Sequence, residues 1–493
     1  MKFFYLCFDI LQDMSDIRHE KGRLTARQRM TLLFDEGTFE EFSACDYAGV
    51  VTGRGKVAGR VVYAYAQDPA VSGGAMSEKM AERICAVMDM AVVGRAPLVA
   101  LNDSAGAKIQ DGVASLGGYG DIFRRNIHAS GVIPQVSGIF GPCAGGAVYS
   151  PALTDFTVMV RDSSFMFVTG PSVVKTVTGE SVSREELGGV SVHSCKSGAV
   201  HHSAETEEDA IRWVRDLLSF LPSDNRSPLP LSECQDPSCR RAPELAEIVP
   251  ENPAKAYDMM QVVRSIVDDG CFFEVQEAWA KNIIVGFARM GGCPVGVVAN
   301  QPKMLAGVLD INASRKAARF VRFCDAFNIP LLTLVDVPGF LCGTQQESAG
   351  IITHGAKLLY AYGEATVPKV TVTLRKSYGG AHITMGCKEL GADVNLAWPS
   401  ANIAVMGVDG AVEILYAKEL AAIEDPHLRH EMFLRLRQTY QDEFCDIRSI
   451  AQLGHIDEVI SPEQTRSKVI SALKTIADRS SELPWRKHDN LPL

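Results

Sequence analysis

The chain has 493 residues, of which 46% are hydrophobic, so it carries enough apolar material for more than one core. Acidic residues outnumber basic ones by 59 to 49, which gives a formal net charge of −10 at pH 7. This balance argues against a nucleic-acid-binding protein, and the absence of any run of about 18 apolar residues argues against a membrane-spanning helix.

The N-terminus begins like a secretory leader, with Lys2 before an apolar run. Asp9 and Asp13 interrupt that run, and no small-residue cleavage site follows it. We therefore predict a leader over residues 1–21 that is not an export signal, with Met14 as an alternative start.

The first half of the chain then alternates helices and strands. Apolar residues at helical spacing predict an amphipathic helix with one buried face, formed by Ile84, Val87, Met88 and Ala91. The apolar segments 98–101 and 132–139 are predicted as strands. This alternation is typical of an α/β fold with a mostly parallel sheet.

A linker separates this half from the next. Seven of the 23 prolines lie between Pro222 and Pro253, among polar residues, which indicates an exposed, irregular segment. We predict an N-terminal domain over residues 22–245 and a C-terminal domain over residues 246–493. The second domain repeats the amphipathic helix, at Ala317, Phe320, Val321 and Cys324, and a strand at 370–374, and its last part, from Ala411, is predicted to be helical.

The two halves are copies of one another. Pro69 and Pro302 lie 233 residues apart, as do Asp103 and Asp336. Further on the offset becomes 234, which relates Gly145-Gly146-Ala147 to Gly379-Gly380-Ala381. A register held over some 80 residues with a single slip indicates a duplicated domain and not two unrelated ones.

The paired Gly-Gly-Ala turns are the strongest chemical signal. Each follows a predicted strand and opens a predicted helix, so several backbone N–H groups point the same way at the positive end of the helix dipole. Such a turn binds a phosphate, a carboxylate or a developing oxyanion, and glycine permits close approach. The alternative is a tight turn or a packing contact, but its occurrence in both copies favours the functional interpretation.

Other catalytic signatures are missing from the sequence. It contains no P-loop, no G-x-S-x-G elbow and no H-E-x-x-H motif, and none of its 13 cysteines forms a C-x-x-C pair. We predict no metal site, and we interpret His201-His202 as a surface pair. Scattered thiols without such pairs are typical of a reducing compartment, so we expect a cytoplasmic protein.

Two kinds of side chain near the turns leave alternatives open. Cys143 lies inside the first glycine turn and is either a nucleophile or, as we favour, a small packing residue. Asp103 and Asp336 end predicted strands, where catalytic groups of α/β folds often lie. They serve equally well to orient the loops that follow them.

Longer motifs resemble the acyl-CoA carboxylase β-subunit family of biotin-dependent carboxyltransferases. The resemblance covers the chain from Gly22 onward. In the first half it rests on the segments at 102–112, 141–152 and 167–171, which include Asp-Ser-Ala-Gly-Ala-Lys and Gly-Pro-Cys-Ala-Gly-Gly-Ala. In the second half it rests on 310–314, 336–340, 354–357, 397–400 and 404–407, which include Asp-Val-Pro-Gly-Phe and Ala-Trp-Pro-Ser.

The resemblance implies two crotonase-like domains per chain and hexamers with active sites between domains of different subunits. It implies transfer of a carboxyl group between biotin, carried on a partner protein, and an acyl-CoA. The N–H groups of Gly145 and Gly146 would hold the thioester enolate oxygen, and those of Gly380 and Ala381 the ureido oxygen of biotin. No protein side chain would then have to act as the base.

The same resemblance suggests substrate-binding residues. Gly106 and Lys108 stand in the segment where the family usually has Gly-Gly-Ala-Arg, and lysine lacks the planar fork of arginine for a contact to CoA or a loop. The family often has proline where Cys342 stands. Ile383, two residues after the second turn, would present a stiff apolar wall to a short acyl tail, unless it is only helix core.

Several functions share this pattern. The favoured one is a propionyl-CoA carboxylase-type carboxyltransferase acting on propionyl-CoA or methylmalonyl-CoA, with a biotin carboxylase and a biotinylated carrier as partners. The alternatives are a transcarboxylase and the α subunit of a sodium-pumping methylmalonyl-CoA decarboxylase, with a membrane decarboxylase subunit as its partner. A crotonase-type hydratase or isomerase would need carboxylates beside the thioester site, and the first turn offers none.

Overall fold

The computed structural model describes residues 23–42, 47–479 and 483–492. The predicted leader lies outside these residues. The described residues form two compact units, the first ending at Pro230 and including the short segment Gln276–Trp279, and the second comprising Leu231–Val275 and the chain from Ala280. This division falls within the proline-rich linker, while the domain limits drawn from the sequence, 22–245 and 246–493, stay predictions.

A mostly parallel sheet of eight described strands forms the centre of the first unit. The order is β1-β2-β3-β4-β5-β6-β8, with β7 paired to the end of β5. Its first three strands are antiparallel and the others parallel. The strands are β1 Glu40–Phe42, β2 Val50–Val57, β3 Arg60–Gln67, β4 Leu98–Ser104, β5 Gln135–Ala144, β6 Phe156–Val160, β7 Phe165–Phe167 and β8 His202–Ala204.

The second unit repeats this sheet strand for strand. The order is β9-β10-β11-β12-β13-β14-β16, with β15 paired to the end of β13, and β9 to β11 are antiparallel. The strands are β9 Phe272–Val275, β10 Ile283–Met290, β11 Cys293–Asn300, β12 Leu331–Val337, β13 Lys369–Tyr378, β14 Val394–Ala397, β15 Asn402–Ala404 and β16 Glu458–Val459. The predicted duplicated α/β fold is therefore confirmed.

Helices cover the sheets. In the first unit the longer ones are Ala26–Leu33, Glu78–Val93, Val113–Ala129, Pro171–Thr178 and Glu207–Phe220, with shorter ones at Tyr149–Leu153, Arg184–Gly188 and Val190–Val192. In the second unit they are Leu245–Ile248, Met259–Ile266, Ile311–Ala326, Thr344–Ser348, Ile351–Glu364, Gly379–Thr384, Val408–Leu415, Ala417–Ala421, Pro426–Phe444, Ile447–Gln452 and Thr465–Thr475. No helix in the described part of the chain is long and apolar enough to cross a membrane.

The predicted buried helix faces are confirmed. Ile84, Val87, Met88 and Ala91 are buried on Glu78–Val93, and their counterparts are buried on Ile311–Ala326. The predicted strand at 132–139 begins three residues late, at Gln135, because Pro134 has no N–H to donate and Val132 and Ile133 close the preceding helix by bonding to the carbonyl of Ala129.

Candidate active site

The first glycine turn lies at the C-terminal end of β5. The strand ends at Ala144, and a 3₁₀ turn over Gly145–Val148 runs directly into the helix Tyr149–Leu153. Gly145 has a φ of +61°, which a residue with a side chain rarely adopts. The N–H groups at the start of such a turn have no acceptor within the helix, so Gly145 and Gly146 can present donors to a ligand.

The loop after β4 packs against this turn. A Cβ added at Gly106 would lie 2.9 Å from the carbonyl oxygen of Ala144, so the two backbones are in close contact. The N–H of Lys108 donates to the carbonyl of Met76 at 2.9 Å, which fixes the loop, and the Lys108 ammonium lies 3.3 Å from Asp111. The fold thus brings Gly106 to the first turn and leaves the side chain of Lys108 about one-third exposed.

The second glycine turn has the same place in the second sheet. β13 ends at Tyr378, and Gly379, with a φ of +56°, opens the helix Gly379–Thr384. Ala381 is fully buried. Ile383 is 45% exposed, so it is not the helix-core residue that was the alternative interpretation.

The two strand-end carboxylates are engaged in buried ion pairs. Asp103 contacts Arg23 at 2.5 Å and Arg29 at 3.2 Å, and Asp336 contacts Arg375 at 2.9 Å. Each carboxylate is at most 1% exposed. A carboxylate held this way anchors its surroundings and is not available as a general base, which decides between the two roles left open by the sequence.

Burial also settles the role of Cys143. The side chain is fully buried, and this burial raises the pKa of its thiol far above the ordinary range. A nucleophilic cysteine needs an accessible thiolate, so Cys143 is a packing residue. In the second copy Ser377 stands at the equivalent position, and its hydroxyl is hydrogen-bonded to Nδ1 of His382 at 2.9 Å.

The expectation of a surface histidine pair at His201-His202 is wrong for its first member. His201 is 8% exposed, and its Nδ1 accepts a hydrogen bond from the N–H of Thr157 at 3.0 Å. His202 is partly exposed, stacks on Trp213 and lies 3.1 Å from Glu277. Its neighbours are therefore a ring and one carboxylate. The sequence alternates apolar and polar residues too weakly here to reveal the short strand β8.

With this geometry in view, the chain can be compared with known proteins. Residues 17–491 match the carboxyl transferase domain family. The propionyl-CoA carboxylase carboxyltransferase subunit of Haloferax mediterranei is 54% identical over 98% of this chain and 96% of that protein. The human mitochondrial propionyl-CoA carboxylase beta chain is 52% identical over 97% of this chain and 90% of that protein.

A solved structure agrees with these relatives. The transcarboxylase 12S hexamer, crystallised with methylmalonyl-coenzyme A and methylmalonic acid, superposes with a TM-score of 0.94 at 46% identity, covering 98% of this chain and 94% of that one. The two crotonase-like domains, together with these matches, define the class of a carboxyltransferase. The chain belongs to the carboxyl transferase domain family, as its own motifs indicated.

Proposed function

We propose that this chain is the carboxyltransferase subunit of a biotin-dependent acyl-CoA carboxylase, acting on propionyl-CoA and methylmalonyl-CoA. The observation that carries the proposal is the recurrence of one donor-bearing turn at the same strand end in both sheets. A carboxyl transfer develops negative charge on two oxygens, one on the thioester and one on biotin, and so needs two such turns.

Each turn would stabilise one of these two oxygens. Gly145 and Gly146 would donate to the thioester oxygen, which becomes negative when the α-proton leaves. Gly380 and Ala381 would donate to the ureido oxygen of biotin. Biotin, when bound, supplies the carboxyl group and takes up the proton. Because Asp103 and Asp336 are paired with arginines, the chain's own contribution is position and electrostatic stabilisation.

The acyl-CoA would be held by the residues that flank the turns. Gly106 lets the loop after β4 lie against Ala144, and the partly exposed ammonium of Lys108, which lies 3.3 Å from Asp111, would contact a phosphate of CoA. Ile383, exposed on the short helix after the second turn, would face the acyl tail. An uncharged wall there suits a propionyl group and disfavours a carboxylate-bearing tail.

The active form would be an oligomer, and we propose a hexamer like that of transcarboxylase 12S. Exposed apolar side chains support assembly: Ile109, Val113 and Leu116, near the start of one long helix, are each at least 60% exposed. The biotin would come on a separate carrier protein, because no biotin-attachment motif is recognisable in the sequence.

The other candidate functions differ in the site residues that they need. A transcarboxylase or a decarboxylase α subunit would use the same acyl-CoA site, and the similarity to transcarboxylase 12S favours keeping the first as a candidate. A hydratase or isomerase needs a free carboxylate beside the thioester. The strand-end carboxylates are tied to arginines, so that function is disfavoured.

A reconstituted assay tests the proposal. The purified chain is given propionyl-CoA, ATP and labelled bicarbonate, with and without a biotin carboxylase and a biotinylated carrier. We expect labelled methylmalonyl-CoA only when both are present. Product formed by the chain alone, or no product with the full set while a known carboxyltransferase subunit works, would refute the proposal. A second assay distinguishes a transcarboxylase. It omits bicarbonate and supplies methylmalonyl-CoA as the carboxyl donor and pyruvate as the acceptor.

A further inference from the structure

Three potential metal ligands meet just beyond the second glycine turn. His382, Cys387 and Glu389 each offer one ligand atom, and these atoms all lie within 4.8 Å of one another. Cys387 is 3% exposed, His382 is half-buried and Glu389 is exposed. We call these three residues the His-Cys-Glu cluster. None of the three residues was given a role in the carboxyl transfer derived above.

Neighbouring residues hold each ligand in place. The Nδ1 of His382 is hydrogen-bonded to the Ser377 hydroxyl at 2.9 Å, which leaves Nε2 as the nitrogen available to an ion. The Glu389 carboxylate is hydrogen-bonded to Nδ1 of His455 at 2.6 Å. Outer partners of this kind orient the ligands of metal sites and raise their affinity.

The backbone around the thiol is equally fixed. The N–H groups of Leu390 and Ala392 both donate to the carbonyl of Cys387 at 3.2 Å. The preceding Gly386 has a φ of +75°, and its carbonyl accepts the Thr371 hydroxyl at 2.6 Å. Cys387 therefore lies on a tight, tethered loop, which reduces the ordering that an incoming ion would have to impose on this ligand.

We propose that the His-Cys-Glu cluster binds one divalent transition-metal ion of the zinc class, with a fourth position open to water. Imidazole, thiolate and carboxylate are the ligand types that zinc takes in proteins, and three protein ligands plus water is a common arrangement. On binding, the thiol of Cys387 loses its proton to solvent and a sulfur–metal bond forms. The ion stays divalent, and no electron is transferred.

The protonation states of two of the three ligands suit such an ion. Burial lowers the pKa of His382, which keeps the ring neutral at pH 7. Burial acts to raise the pKa of Glu389, but hydrogen bonds from His455 and Cys387 outweigh it and lower the pKa to about 2, so the group is an anion. Burial raises the pKa of Cys387 to about 11, so the thiol proton must be displaced.

Loading the site would act on the second glycine turn. Bond lengths of about 2.0–2.3 Å place the ligand atoms of a tetrahedral zinc site roughly 3.5 Å apart. The cluster would contract by up to about 1.3 Å from the present limit of 4.8 Å. His382 belongs to the helix that carries Gly380 and Ala381, so the contraction would pull on the residues of the turn.

Cobalt spectroscopy on the full-length chain tests the site. The protein is reduced with a phosphine, freed of metal by dialysis against a chelator, and titrated with Co²⁺. We expect a thiolate-to-cobalt charge-transfer band, saturating at about one ion per chain and lost on adding Zn²⁺. In Cys387→Ser the band should be absent, and in Cys293→Ser, a partly buried thiol elsewhere in the same unit, it should be unchanged.

A second variant and a second readout guard against misfolding. Glu389 is exposed, so Glu389→Gln should fold normally yet bind Co²⁺ at least about tenfold more weakly. Zinc should raise the melting temperature of the wild-type chain and leave that of Cys387→Ser unchanged. A wild-type chain without a thiolate band, or a band that survives Cys387→Ser, would overturn the proposal.

Discussion

The two glycine turns occupy equivalent places but have different neighbours. A Cβ added at Gly146 would lie 2.9 Å from the ring of Tyr119, so packing alone requires glycine there. A Cβ added at the equivalent Gly380 would meet, among the described residues outside its own helix backbone, one atom within 4 Å, a ring carbon of Phe340 at 3.9 Å. Packing and backbone conformation therefore do not account for glycine at position 380, which agrees with the close approach of biotin proposed above.

The two buried aspartates show a similar contrast. In the second copy, Arg375 lies on β13 itself and pairs with Asp336. The equivalent residue in the first copy is Gly141, where a Cβ would meet Asp103 Oδ1 at 2.1 Å and Arg23 Nη2 at 2.7 Å. The duplication has kept the ion pair but takes its cation from a distant segment in one copy, so the pair is a requirement of the fold.

The largest effect should follow from breaking the single pair in the second copy. Arg375→Met removes the ion-pair partner of the buried Asp336 and also removes three hydrogen bonds to backbone carbonyls, at Pro250, Asn252 and Lys255. Uncompensated buried charges typically cost about 3–5 kcal/mol. We expect a fall of that size in the free energy of unfolding, measured by urea denaturation. A variant as stable as wild type would contradict the structural role of the pair.

Ile383 tests the substrate side of the comparison, because it follows the turn that packing does not explain. Ile383→Asp should lower kcat/KM for propionyl-CoA by about 10- to 200-fold relative to acetyl-CoA, since a charged residue would face the acyl tail. Ile127→Asp, an exposed isoleucine in the other unit, is the matched control. The same substrate preference in all three proteins would exclude Ile383 from the acyl pocket.

Gly146 tests the packing explanation of the first turn. Gly146→Ala places a methyl group against Tyr119 and should cost about 1–3 kcal/mol of stability through overpacking. Gly120→Ala is the control: it lies on the helix Val113–Ala129, which also carries Tyr119, and no described residue beyond that helix's own backbone has an atom within 4 Å of the added methyl group. The two variants are compared by thermal melting, and equal melting temperatures would mean that the Tyr119 contact does not constrain the turn.

Asp103 is contacted by two arginines, so removing one of them should lower the free energy of unfolding less than Arg375→Met does. Arg23→Met removes the contact at 2.5 Å, but Arg29, which is fully buried, still pairs with Asp103. We expect a loss of about 1.5–3 kcal/mol, the range for a hydrogen bond to a charged group. Urea denaturation side by side with Arg375→Met checks the order. A loss equal to that of Arg375→Met would show that the second arginine gives Asp103 no protection.

The duplication, the fold class and the turns were predictable because they rest on local pattern and on residue identity at a fixed offset. The packing around them was not. The sequence near Asp103 does not indicate that Arg29, 74 positions away, contacts this carboxylate. It also does not show that Tyr119 faces Gly146. The His-Cys-Glu cluster was not predicted either, because its spacing matches no common zinc motif.

The substitution Gly380→Ala tests the central claim most directly. Side chains in the first turn of a helix tilt toward its N-terminus, so the added methyl group would crowd the N–H groups that face the ligand. The account predicts an unchanged melting temperature and a fall in carboxyl transfer of at least about 100-fold in the reconstituted assay. Gly363→Ala, in the helix Ile351–Glu364 of the same unit, should leave carboxyl transfer unchanged. Near-normal turnover by folded Gly380→Ala protein would contradict the account.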